Sequence, residues 1–165
     1  MAGDIITLRN SFLQVTISTL GAELQSVFCR QTGIEYLWQG DANFWGKRSP
    51  VLFPIVGGLK NNSYTFQGNT YPLGRHGFAR EQLFELVEVG NTKAVFELTH
   101  SAETLAKYPF LFTLQLQYQL TNSGVTVQYR VKNTGEQTLY FSLGAHPAFN
   151  VPFLPNTSFT DYHLA

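Results

Sequence analysis

The sequence predicts an all-β protein, an antiparallel sandwich or barrel of many strands. Three observations carry that prediction. Apolar residues recur at every second position in segment after segment, the period of a strand with one buried face. The segments are joined by short turns rich in glycine and asparagine, which suit strand-to-strand connections. Aromatic residues make up 15% of the chain and charged residues only 13%, a balance that fits pleated surfaces, where rings pack well. The 165 residues are read as a single domain, residues 1–165, long enough for a real core.

In order, Ile5 to Leu8 is a short apolar run, and Phe12 to Ser18 places Leu13, Val15 and Ile17 on one face. Gly21 to Cys29 and Ile34 to Trp38 read as strands separated by a turn at Gln31-Thr32-Gly33. Residues 39–62 carry Gly40, Gly46, Pro50, Pro54, Gly57 and Gly58, too many breakers for regular structure. Long ordered loops of this kind tend to be functional. Ser63 to Phe66 and Thr70 to Leu73 form a hairpin across Gln67-Gly68-Asn69. Gln82 to Val89 pairs with Lys93 to Leu98 across Gly90-Asn91-Thr92. Ser101 to Lys107 is the one helix-like piece, with Ser101 as its cap and Pro109 beyond its end. Phe112 to Leu120 and Val125 to Lys132 pair across Thr121-Asn122-Ser123-Gly124, and Gln137 to Leu143 is the next strand. The last residues, Phe159 to Ala165, read as the start of one more.

Several function classes are disfavoured. The formal net charge is zero and the basic residues are scattered, so neither nucleic acid nor an anionic membrane surface is expected as a partner. The N-terminus, Met1-Ala2-Gly3-Asp4, does not open a signal peptide. No run has transmembrane length, and a cytoplasmic location is expected. Cys29, the one cysteine, is expected to be a buried, inert thiol. No metal-ligand spacing, nucleophile elbow, phosphate loop or dinucleotide fingerprint occurs.

Of the four histidines, His100 and His163 read as ordinary surface residues. His76, in Gly74-Arg75-His76-Gly77, and His146, in Gly144-Ala145-His146-Pro147, differ. Glycines beside them let backbone and ligand approach closely, and Pro147 pushes His146 into extended geometry. Both are expected to face one pocket. Spacing alone favours a structural role for each.

Four ordered blocks carry a resemblance. They are Gly21-Ala22-Glu23-Leu24, the stretch from Trp45-Gly46-Lys47-Arg48 to Val56-Gly57, His76-Gly77-Phe78-Ala79-Arg80, and Gly144-Ala145-His146-Pro147-Ala148-Phe149. Through them the chain resembles the aldose 1-epimerase (galactose mutarotase-like) superfamily, and within it the LacX-type branch. The resemblance implies a large antiparallel β-sandwich and interconversion of the α and β anomers of a hexose by acid–base ring opening. It implies no metal and no cofactor. His146 matches the general acid and His76 a substrate ligand. Arg48 and Arg80 match basic positions that some branches use for substrate, sugar phosphates included, and Lys60 lies near another. Phe149, Trp45 and Phe53 are candidates for the ring on which a sugar stacks.

Histidine, with an ordinary pKa of about 6.5, can give and take a proton near neutrality. The family's general base, a glutamate, and a substrate-binding aspartate belong to a second half with no counterpart among the eleven acids here. The chain therefore reads as the front portion of a longer protein, expected to lack normal activity alone and to leave sheet edges unpaired. The alternative reading is a non-catalytic carbohydrate-binding β-sandwich. Oligomeric state is not legible.

Overall fold

The computed structural model describes residues 3–122 and 124–163. Among the described residues, eleven strands and one α-helical turn follow one another: β1 (Ile5–Arg9), β2 (Leu13–Ser18), β3 (Leu24–Cys29), β4 (Val51–Leu52), β5 (Ser63–Phe66), β6 (Asn69–Pro72), β7 (Glu85–Val89), β8 (Lys93–Thr99), α1 (Ala102–Leu105), β9 (Phe112–Leu120), β10 (Val125–Asn133) and β11 (Gly144–Ala145). Every ladder between these strands is antiparallel. One sheet has the order β1-β2-β3 and a second the order β10-β9-β8-β7, while β5-β6 and β4-β11 are two-stranded.

Alternation decides which face is buried. In β2, Leu13, Val15 and Ile17 are buried, and in β9 so are Phe112, Leu114, Leu116, Tyr118 and Leu120. These residues belong to one cluster with Ala94, Phe96 and Leu98 of β8, so the two large sheets share a core. Each fully buried aliphatic or phenyl side chain stabilises by about 1.5–3 kcal/mol. The Tyr118 hydroxyl crosses this core to donate to the carbonyl of Ala22 at 2.7 Å. At the rim, Arg9 N–H donates to Asn91 O, tying β1 to the β7–β8 turn.

Local chemistry closes the hairpins. Gln67 and Gly68 both have positive φ, 48° and 79°, the two-residue turn whose twist matches antiparallel strands. It sets Tyr64 opposite Tyr71 with ring centroids 5.5 Å apart. Ser101 caps α1, accepting from Thr104 N–H at 3.2 Å, while Thr104 Oγ1 accepts from Ser101 N–H at 2.8 Å. Ser101→Ala is expected to lower stability by about 1 kcal/mol; a shift in the urea midpoint without a change of slope is the check.

The structure corrects four expectations. Ile34 to Trp38 forms only isolated pairings, Phe28 with Glu35 and Leu37 with Phe149. Its main-chain bonds are split between two neighbours, Cys29 N–H to Ile34 O and Tyr36 N–H to Val27 O on one side, Trp38 N–H to Ala148 O and Asn150 N–H to Tyr36 O on the other. The Glu35 carboxylate interrupts the first by accepting from Val27 N–H at 2.8 Å and Leu37 N–H at 2.9 Å. Gln137 to Leu143 is not a strand. Asn133 Nδ2 donates to Gln137 O, the Tyr108 hydroxyl donates to Tyr140 O and Ser142 N–H donates to Pro54 O, so the segment's backbone groups are met singly by different partners rather than by one neighbouring strand. Phe159–Asp161 is a 3-10 turn in which Asp161 Oδ2 accepts from Ser158 N–H, rather than the start of a strand. Cys29 is half-buried, and its thiol pKa is lowered, chiefly by a hydrogen bond with the Thr32 side chain. The readings placed on Met1, Ala2, Ser123, Leu164 and Ala165 fall outside the described residues.

Candidate active site

Residues 50–57 are the ribbon on which the site is built. On one side β4 pairs with β11, Leu52 opposite Gly144 and Val51 opposite Ala145. His146 N–H then donates to Pro50 O at 3.1 Å, and Ala148 N–H to Arg48 O at 2.9 Å. On the other side Phe78 N–H and Ala79 N–H both donate to Phe53 O. His76 N–H donates to Gly57 O at 2.7 Å, and Gly57 N–H returns a bond to His76 Nδ1 at 3.0 Å. Two segments far apart in sequence are thereby held against the same short ribbon.

The close approach needs glycine at Gly77. Its φ is +71°, and a Cβ there would overlap Phe53 O and stand 2.6 Å from Pro54 N. The loop leading into the ribbon is anchored by Glu23. This buried carboxylate, 6% exposed, accepts from Arg48 N–H at 2.8 Å and Ser49 N–H at 3.0 Å through Oε1.

A cavity of about 200 Å³ lies over the ribbon, lined by Trp45, Pro50, Leu52, Arg75, His76, Arg80 and His146. The structure brings His76, His146 and Arg80 together here. Trp45 packs on His146 with ring centroids 4.9 Å apart. Of the three candidate stacking rings, it is the one that lines this cavity; Phe53 is sealed in the core.

The remaining expected residues lie elsewhere. The Arg48 guanidinium donates to Gln25 O at 3.0 Å and Gln39 O at 2.9 Å and so clamps the loop from outside the cavity. Lys60 is exposed in a 3-10 turn, Lys60–Asn62. Phe149, 51% exposed, lines a separate apolar depression of about 530 Å³ with Tyr36, Val151, Phe153, Phe159, Tyr162 and His163. Arg75 went unread in the sequence, although it directly precedes His76.

The electrostatics of the cavity are one-sided. No Asp or Glu is among its lining residues. Partial desolvation first, and then Arg75, Arg80 and His146, hold the His76 pKa below its ordinary value. The folded chain thus binds fewer protons at His76 than the unfolded chain between the lowered value and about 6.5. Its contribution to stability is present above pH 6.5 or so and is lost as pH falls through that window, and the effect is small because solvent screens it. Both ring nitrogens face donors, Nδ1 the Gly57 N–H at 3.0 Å and Nε2 the Arg75 Nε–H at 3.1 Å; a neutral imidazole accepts at one of them only, and in the tautomer that accepts from the fixed backbone amide Nε2 carries the proton. Among the described residues no group of three or more His, Cys, Asp or Glu gathers as metal ligands, and no helix is long and apolar enough to cross a membrane.

An antiparallel β fold with two histidines converging on one cavity is the setting in which the comparisons fall. The sequence pattern of the aldose 1-epimerase family matches residues 4–163, and the chain belongs to that family. It is 36% identical to the plasmid-encoded protein LacX of Lactococcus lactis subsp. lactis, an alignment covering 96% of this chain and 55% of that protein. The fold is similar to the crystal structure of a galactose mutarotase related enzyme from Lactobacillus acidophilus, with TM-score 0.91 and 41% identity over 94% of this chain and 52% of that one. A galactose mutarotase-like protein from Lactobacillus casei gives TM-score 0.88 and 39% identity over 93% and 52%. The chain spans about half the length of the relatives it matches.

Proposed function

We propose that this chain supplies the proton-donating part of an isomerase that interconverts the α and β anomers of a hexose. The observation that supports the reading is the shared cavity of His76 and His146. In this mechanism His146 protonates the ring oxygen as the bond from that oxygen to the anomeric carbon breaks. A base removes the anomeric hydroxyl proton, and the anomeric carbon becomes an aldehyde. Rotation about the bond to the aldehyde carbon and reclosure on its other face give the second anomer, His146 taking its proton back from the ring-forming hydroxyl and the base returning its proton to the anomeric oxygen. His76 Nε2–H donates to the sugar near the ring oxygen, Arg80 contributes a further donor, and Trp45 offers an apolar platform. The base is the glutamate that the family resemblance implies; none of the residues lining this cavity is an acid that could take its place.

The test is polarimetry of freshly dissolved α-hexose with the intact protein. Optical rotation decaying faster than in buffer is expected, and a rate equal to the buffer rate would overturn the proposal. The absent carboxylate favours one second reading, a binder without catalysis. That reading requires a saturable rise in melting temperature with sugar and no acceleration of mutarotation.

A further inference from the structure

The turn between β2 and β3 is strained, and what it delivers is a carboxylate. Gly21 and Ala22 both have positive φ, 73° and 45°. Ala22 is fully buried and carries a Cβ in a region that favours glycine. The Tyr118 hydroxyl holds this turn through Ala22 O. Just beyond it the pairing of β2 with β3 slips. Thr16 pairs with Ser26 and Ile17 with Leu24, which leaves Gln25 as the extra residue of a bulge. Bulges re-aim side chains beside functional sites. Turn and bulge bracket Glu23, whose buried carboxylate reaches a segment 25 residues further along the chain.

That segment is the main-chain anchor of His146. Glu23 Oε1 accepts from Arg48 N–H at 2.8 Å and Ser49 N–H at 3.0 Å. The carbonyls of Arg48 and Pro50 accept in turn from Ala148 and His146 N–H. Residues 48–50 are therefore held between the carboxylate and the segment that bears the imidazole. The bulge joins in, because Gln25 O takes the Arg48 guanidinium at 3.0 Å. Trp45, earlier in the same loop, packs on the His146 ring with centroids 4.9 Å apart. The loop thus sets the imidazole twice, by its backbone and by its face. Hydrogen bonds to an ionised acceptor are the strong ones, and a low-dielectric interior strengthens them further. We propose that Glu23 is a positioning residue for His146: by fixing Arg48 and Ser49 it sets the imidazole at the sugar's ring oxygen. The inference rests on the isomerase reading above. Glu23 does not line the cavity, so it acts through the loop and not on the sugar.

The experiment combines NMR and polarimetry on the intact protein. The ring C–H resonances of His146 are identified by their loss in His146→Gln. The ring current of Trp45 displaces them, and Trp45→Leu gives the undisplaced value. Glu23→Ala is expected to collapse that displacement and to lower kcat about tenfold to a hundredfold at nearly constant KM, the mark of a misplaced acid. Glu23→Gln keeps an oxygen with two lone pairs for the two N–H groups, and is expected to restore most of the displacement and most of kcat. A purely structural role would lower the melting temperature in both variants and leave the His146 resonances in place. Resonances of Glu23→Ala at their natural positions would overturn the proposal, and so would a Glu23→Gln protein as damaged as Glu23→Ala. If Glu23→Ala does not fold, Glu23→Asp decides, because its carboxylate is drawn back by one methylene: moved His146 resonances support the assignment and unmoved ones end it. If the natural protein does not accelerate mutarotation, the isomerase reading fails, and the same resonances still decide whether Glu23 places His146.

Discussion

Replacing His146 with alanine is expected to lower the turnover of the intact protein by about 10² or more, the usual contribution of a positioned general acid. The reasoning is geometric. His146 is exposed at the end of β11 and its backbone is held by Pro50 O, so the ring stands over the cavity without filling the core. Its removal leaves His76, Arg80 and the ribbon in place. Stability is expected to change by no more than about 0.5 kcal/mol, as for other surface substitutions. The loss should therefore fall on kcat, with the melting temperature nearly constant. Polarimetry and a thermal melt on the same sample separate the two effects. A variant that turns over as fast as the natural protein would remove His146 from the mechanism.

Gly77→Ala is expected to act in the opposite way, through the fold. Alanine must adopt φ near +71°, and its Cβ collides with the backbone of Phe53 and Pro54. Main chain cannot rotate aside as a side chain can. Left-handed strain and the forced shift together should cost about 2–4 kcal/mol. The displaced atom, Phe53 O, is the acceptor for Phe78 and Ala79 N–H, so the damage extends along the segment that carries His76. Gly58→Ala is the control, because an added Cβ there meets nothing within 4 Å. Chemical denaturation of both variants gives the comparison. A Gly77→Ala protein as stable as Gly58→Ala would show that the close approach is not needed.

The sequence made the strands legible where the information is local. In β9 each buried position, and in β10 each half-buried one along Val125 to Val131, is named by its own alternation, and the register needs only the turn between them. It misled where residues have the composition of a strand but their backbone bonds are scattered over single main-chain rungs and side chains, as in 34–38, where the Glu35 carboxylate takes Val27 and Leu37 N–H, and in 137–143, where Tyr108 donates to Tyr140 O. Periodicity reports a side chain's neighbours on its own segment and is silent about who bonds its carbonyls. The same limit applies to the site. His76 and His146 were marked by flanking glycines and by the resemblance. Nothing in Arg75-His76-Gly77-Phe78-Ala79-Arg80 says which guanidinium turns inward, and in the structure both line the cavity. Arg48 matched a motif, yet its guanidinium is engaged by the carbonyls of Gln25 and Gln39. Trp45 and Phe149 were equal candidates by type, and only the folding of the loop beside β4 set the tryptophan against His146.

The ribbon at 50–57 has one more implication. Both imidazole-bearing segments are fastened to it by main-chain bonds on opposite flanks, so it works as a gauge bar that sets the gap between them. Lengthening or shortening it by one residue would throw the two rings out of alignment together, even where the change left the hydrophobic interior intact. Tolerance to insertions and deletions should accordingly dip sharply along this stretch, deeper than its lack of regular structure would suggest.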